Sequence, residues 1–257
     1  MNNTLTTIIG CSITFLTTTL GSFIILFIKG DISKRISCLI NGFSSGIMIA
    51  ASVWGLLIPS FSYAQYLNNL YFLPSITASF LGCLFLFFID VATKKLSKTN
   101  NLNNHNIKKF VTAFTIHNIP EGMAIGFAFG NALKIGSSTA LASAMGISIA
   151  IAVQNIPEGF AVALPVYKET NSKSKGILLG SATGIVEPIF ALLGIVLANT
   201  IGILLPWLLA FSAGTMLFVA VDDLIPCSKA NENSKIGAWA FMFGFILMMT
   251  LDVLLAT

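Results

Sequence analysis

The chain has 257 residues, of which 55% are hydrophobic and only 9% charged, with a mean hydropathy of +0.87. A soluble domain carries about 25% charged residues, so 14 basic and 10 acidic side chains cannot cover a water-exposed surface of this size. The apolar runs approach the ~20 residues of a membrane-spanning helix and show none of the ten-residue alternation of a transmembrane barrel. The net charge of +4 has a membrane explanation in the loops and is no sign of a nucleic-acid partner.

In chain order, apolar runs broken by polar clusters predict an all-α integral membrane protein with eight transmembrane helices in one domain, residues 1–257. The first run, 5–28, follows an N-terminus without a basic segment and is too long for a signal peptide, so it is expected to remain as a span. The second and third lie at 37–58 and 71–93, and an Asn-rich cytoplasmic loop is expected at 94–108. The remaining spans are placed at 109–132, 137–166, 176–199, 206–226 and 236–256. Loops after the odd-numbered spans hold 13 of the 14 basic residues, and only Lys134 falls on the other side. The positive-inside rule then makes those loops cytoplasmic and both termini extracytoplasmic. Cys11, Cys38, Cys83 and Cys227 form no CxxC pair and read as small apolar residues.

Two internal repeats stand out. Phe43-Ser44-Ser45-Gly46-Ile47-Met48 in the second span aligns with Phe211-Ser212-Ala213-Gly214-Thr215-Met216 in the seventh. Both spans then reach Ile-Pro, at Ile58-Pro59 and Ile225-Pro226. The two spans run in opposite senses, as in the inverted repeats of transporters, with spans one to three and six to eight arranged around spans four and five. The second repeat is sharper: Asn118-Ile119-Pro120-Glu121-Gly122 recurs letter for letter as Asn155-Ile156-Pro157-Glu158-Gly159.

Each copy sets a carboxylate inside lipid, at about 2.5–3.5 kcal/mol on the lenient insertion scale. Residues 110–133 and 135–167 contain no Lys or Arg. The glutamates are therefore either protonated or neutralised by an external cation, and a metal ion is the economical solution. His117 lies four residues before Glu121, and Gln154 four before Glu158, so each pair shares a helix face. Pro120 and Pro157 free the carbonyls of Ile116 and Val153. Glu187-Pro188 in the sixth span adds a third carboxylate beside a third proline. Three carboxylates, one imidazole and three amides form an oxygen-rich set without thiolate, suited to Zn, Fe, Mn or Co and unsuited to Cu(I).

His117 to Gly122 and Gln154 to Gly159 resemble the fourth- and fifth-helix signatures of the ZIP (Zrt-, Irt-like) family of divalent metal transporters. The likeness extends to Glu187-Pro188 and to Phe211 through Pro226, and the small-residue patterns look most like the bacterial GufA-like branch. The resemblance implies import of Zn2+ into the cytoplasm, with Fe2+, Mn2+, Co2+ and Cd2+ as further cargo. Zn2+ is then a transported substrate, and no organic cofactor is expected. It implies a two-metal site: His117, Glu121, Gln154 and Glu158 hold one ion. Asn118, Asn155 and Glu187 hold the second, with Glu121 and Glu158 bridging. It also implies a homodimer in a plasma membrane or bacterial inner membrane, with spans one, four, five and six sliding as an elevator. By the same resemblance Met48 and Asp252 flank the outer entrance, and Asp90, Asp222 and Asp223 mark the exit.

This sequence departs from some relatives, which carry Asp at the position of Asn155 or His at that of Gln154. The cytoplasmic loop offers only His105 where relatives are often His-rich, and His105 reads as a solvated residue. An intramembrane enzyme is the competing class, but His-Glu-x-x-His and Gly-x-Gly-Asp are both missing. A proton-coupled carrier of a small organic solute, whose glutamates titrate instead of ligating metal, is the alternative within transport.

Overall fold

The structure, a computed structural model, describes residues 3–28, 33–97, 102–198, 203–229 and 235–255, without the side chains of 93–97, 102–110, 113 and 117. Among these residues the chain is all helical, without a strand. We number the helices α1 (Asn3–Phe27), α2 (Lys34–Tyr63), α3 (Leu73–Ser97), α4 (Leu102–Ile135), α5 (Ser138–Thr170), α6 (Lys173–Val196), α7 (Leu205–Ser228) and α8 (Ile236–Leu255). Seven helices among the described residues are long and apolar enough to cross a membrane. They cover seven of the eight expected segments, and α4, which contains the segment expected at 109–132, is not among them. The loop expected at 94–108 is largely helical, since α3 runs on to Ser97 and α4 starts at Leu102. Apolarity marks what lipid can cover, whereas backbone hydrogen bonding carries a helix on into polar sequence. His105 lies on α4, with its side chain outside the described residues.

Proline punctuates the helices. Immediately before Ile58-Pro59, α2 widens into π geometry over Ala51–Leu57, and α7 does the same over Ala220–Leu224 before Ile225-Pro226. A proline ring clashes with the carbonyl four residues back and offers no N–H to it; the local π turn accommodates both, and such turns gather at functional places. In α6 the helix breaks at Ile185, three residues before Pro188, and restarts as Val186–Val196 with Glu187 in its first turn. The exposed amides of a helix start favour a carboxylate there.

Small residues let the helices pair at backbone distance. α1 packs chiefly on α5, α4 on α6, α2 on α8 and α3 on α7. A side chain added at Gly46 would strike the Phe241 carbonyl, and one at Gly244 the Phe43 carbonyl. The α7–α3 pair is built alike: Gly214 meets the Ser79 carbonyl and Gly82 the Phe211 carbonyl. Phe43 and Phe211, like Gly46 and Gly214, are the residues that align in the six-residue repeat.

These contacts sort the helices into two bodies. Gly159 fits against Thr18, Gly122 against Glu187 and Gly184 against Thr18, which joins α1, α4, α5 and α6. The contacts of the preceding paragraph pair α2 with α8 and α3 with α7, and Gly237, which fits against the Ser228 carbonyl, joins α8 to α7. Among the described residues one glycine contact with backbone crosses between the bodies, where a Cβ on Gly146 would stand 2.7 Å from the Leu255 carbonyl. The two bodies also share side chains of an apolar cluster that includes Met48, Met123, Phe127, Met216 and Met248, and Lys168 Nζ donates to Ser37 Oγ at 3.4 Å.

Candidate metal centre

Both Asn-Ile-Pro-Glu-Gly copies lie inside unbroken helices, α4 and α5. Asn118, Glu121, Asn155 and Glu187 have no exposed surface, and Glu158 and Gln154 are nearly as deeply buried. Gln154 Nε2 donates to Glu121 Oε1 at 2.6 Å, tying the two copies together. Asn155 Nδ2 donates to both oxygens of Glu187, at 2.9 and 2.8 Å, and to the Thr14 carbonyl at 3.3 Å. Asn118 Nδ2 donates to the Thr183 carbonyl at 3.0 Å.

The asparagines therefore have their amide nitrogens committed, while Asn118 Oδ1 and Asn155 Oδ1 are buried without a hydrogen-bond partner. A buried carbonyl oxygen without a donor is costly, and two of them among three carboxylates form a region that lacks positive charge. Such a donor set fits a hard or borderline divalent ion. Among the described residues no three His, Cys, Asp or Glu side chains gather into a metal-holding group; acids, amides and hydroxyls alternate instead. The backbone of His117 lies on α4, and its side chain is outside the described residues.

The remaining candidates lie apart from this group. Asp252 is 6% exposed and its Oδ2 has no hydrogen-bond partner. It lines a cavity that also reaches Trp54, Gly55, Gly146 and Gln154, the residue whose amide donates to Glu121. Met48 is buried in the apolar cluster between the bodies. Asp90 is buried on α3, whereas Asp222 is exposed and Asp223 half-buried on the π turn of α7.

Sequence reasoning passed over the contribution of α1. Thr14, Thr18 and Ser22 are spaced by four and wholly buried. Thr18 Oγ1 donates toward the Thr14 carbonyl at 3.0 Å and toward Glu187 Oε1 at 3.4 Å. Ser22 Oγ donates toward the Thr18 carbonyl at 3.0 Å and the Gly159 carbonyl at 3.2 Å. The signal was available as hydroxyls at positions 14, 18 and 22, one helical turn apart and so on one face of the span.

A family profile described as ZIP Zinc transporter matches residues 109–252. Zinc transporter ZIP11 of Xenopus tropicalis is 31% identical over 327 aligned residues, which take in 97% of this chain and 97% of that protein. Zinc transporter ZIPB of Bordetella bronchiseptica is 30% identical over 258 residues, 96% of this chain and 81% of that protein. Zinc transporter GufA of Myxococcus xanthus is 38% identical over 146 residues, 56% of this chain and 54% of that protein.

Proposed function

The chain belongs to the ZIP zinc transporter family of multi-pass membrane proteins, which are transporters and not enzymes, and on that premise we propose that it imports Zn2+ into the cytoplasm through a mid-membrane two-metal site. Fe2+, Mn2+, Co2+ and Cd2+ are further cargo that the same ligand chemistry admits. The observation that carries the proposal is the doubled Asn-Ile-Pro-Glu-Gly motif, whose glutamates are buried beside two amide oxygens that have no donor.

The first ion is held by His117, Glu121, Gln154 and Glu158. The second is held by Asn118, Asn155 and Glu187, with Glu121 and Glu158 shared between the two. Neutral amide ligands keep the affinity moderate, as release requires. Asp252 and Met48 flank the entrance, and Asp90, Asp222 and Asp223 line the exit. The cavity shared by Asp252 and Gln154 supports the entrance assignment.

Eight spans with both termini outside, an inverted repeat of spans one to three and six to eight, and a homodimer complete the reading. The matched π turns and the matched Gly–Phe contacts of the α2–α8 and α7–α3 pairs support the repeat. Elevator movement draws support from the division into two bodies that share one glycine contact with backbone among the described residues. Backbone-to-backbone contacts keep each body rigid, and the flexible thioethers between them tolerate sliding.

Purified protein in liposomes tests the proposal. Glu121→Ala and Glu158→Ala should each abolish zinc uptake while the variants retain their helical circular dichroism. Unchanged flux in both variants would overturn it.

A further inference from the structure

A threonine or serine inside a helix commonly turns its hydroxyl back onto the carbonyl three or four residues earlier. On α1, Thr7, Thr17, Thr18 and Ser22 all do so, at 2.9–3.0 Å. Thr14 does not. Its side chain is wholly buried, and the carbonyl of Gly10 one turn back receives nothing from it. Thr14 Oγ1 faces the Glu187 carboxylate instead, but without the alignment of a hydrogen bond, so among the described residues it is left unsatisfied. The backbone fixes Thr14 in that place. Its carbonyl accepts from Asn155 Nδ2 at 3.3 Å, and the same nitrogen donates to both oxygens of Glu187, at 2.9 and 2.8 Å. Asn155 Oδ1, on the amide so engaged, is also buried without a partner. Two neutral oxygens, one from α1 and one from α5, therefore stand unsatisfied beside one carboxylate of α6, and leaving buried polar groups in that condition is costly.

We propose that the Thr14 hydroxyl is a further ligand of the transported cation, at the position assigned above to Asn118, Asn155 and Glu187. The inference rests on the two-metal reading and extends its donor set to α1. A hydroxyl has lone pairs to give and one proton to donate, so Thr14 Oγ1 can ligate the ion while its O–H closes on Glu187. The added ligand is an oxygen without charge, in keeping with a hard or borderline divalent ion. Its place is set by backbone packing and not by a long side chain. A Cβ at Gly21 would strike the Ile156 carbonyl and one at Gly159 the Thr18 carbonyl, so α1 is seated closely on the stretch of α5 that carries Asn155.

The experiment is cadmium titration of the purified full-length protein in detergent, followed by ultraviolet absorption. A thiolate bound to Cd2+ gives a charge-transfer band that a free thiol lacks. Thr14→Cys sets a soft ligand where the hydroxyl stands and should add such a band to the wild-type spectrum. The four native cysteines are common to both proteins. Ser22→Cys, wholly buried on the same face two turns along, should add none. Zinc calorimetry gives a second measurement, which decides the matter if the cysteine variant does not fold. Thr14→Val keeps the shape without the hydroxyl and should weaken zinc binding at least about tenfold, as loss of a partner at a metal site does. Thr14→Ser should bind as the wild type. The proposal is overturned if Thr14→Cys adds no band although cadmium still stabilises that variant against heat. A band of equal size in Ser22→Cys overturns it too, as does wild-type zinc affinity in Thr14→Val. Zinc binding by no form of the protein, the wild type included, overturns the proposed function instead.

Discussion

Gln154 Nε2 and Glu121 Oε1 meet at 2.6 Å across the interface between α4 and α5, Glu121 from within one copy of the repeated pentapeptide and Gln154 from immediately before the other. A neutral donor serves here where a relative with histidine would present an imidazole. The amide can satisfy the carboxylate when no ion is bound, and its carbonyl can ligate when one is. It thereby keeps the centre buried without adding a charge that would repel the cargo.

Gln154→Leu should therefore weaken uptake more than it weakens the fold. The substitution retains bulk but removes both the donor to Glu121 and one oxygen of the proposed ligand set. Loss of a supporting partner at a metal site typically costs roughly ten- to a hundredfold in metal affinity, so KM for zinc should rise by about that factor in a liposome uptake assay. An unaltered KM would mean that Gln154 does not face the cargo.

The glycines predict a different kind of failure. A Cβ at Gly159 would collide with the Thr18 carbonyl, whereas one at Gly55 would lie 3.8 Å from Asp252 Oδ1, an ordinary contact. Overpacking of a close interface costs about 1–3 kcal/mol. Gly159→Ala should lower the thermal unfolding midpoint in detergent by several degrees, and Gly55→Ala should leave it within about a degree. Equal midpoints would contradict the close approach of α1 and α5.

Much of this was legible in the sequence, for reasons that differ from element to element. Seven apolar segments match helices because lipid demands a continuous apolar run, and that demand is written in composition. The buried polar set was legible because Glu121, Glu158 and Glu187 are conspicuous in oil. The helical stretches on either side of residues 98–101 were not, because hydrophobicity sets what lies in lipid and says little about where a solvated helix stops. Thr14 and Thr18 were missed for the opposite reason: a threonine hydroxyl can bond to its own helix, so it stands in a span without demanding an explanation. The π turns needed coordinates, because proline announces a disturbance but does not say which kind.

The contact between Gly146 and the Leu255 carbonyl tests the movement of one body against the other. Gly146→Val adds a branched side chain at the one place among the described residues where glycine brings backbone close across the divide. It should reduce zinc uptake per molecule at least tenfold. Zinc should still raise the thermal midpoint, since binding to the native state stabilises by mass action. Uptake at the wild-type rate would argue against sliding along this surface.

Asp252 lies near the outer end of α8 in the reading above, within a cavity that reaches Gln154. Asp252→Asn retains the shape and removes the charge that would draw a cation inward. KM for zinc should rise several-fold with the maximal rate unchanged. The difference should shrink as salt is raised, because screening shortens to about 8 Å at physiological ionic strength. A change confined to the maximal rate would assign Asp252 to the transport step rather than to capture.

The orientation of the chain can be tested with its own cysteines. Cys11 and Cys38 are buried, Cys83 is half-buried, and Cys227 is exposed at the end of α7. Cys227 is next to the loop that holds Lys229 and Lys235, which the positive-inside rule assigns to the cytoplasm. A charged maleimide that cannot cross membranes should therefore leave Cys227 unmodified in intact cells and label it after permeabilisation. A Cys227→Ser variant should remove the labelled band. Labelling in intact cells would invert the topology, and the direction of transport would then have to be read from the opposite face.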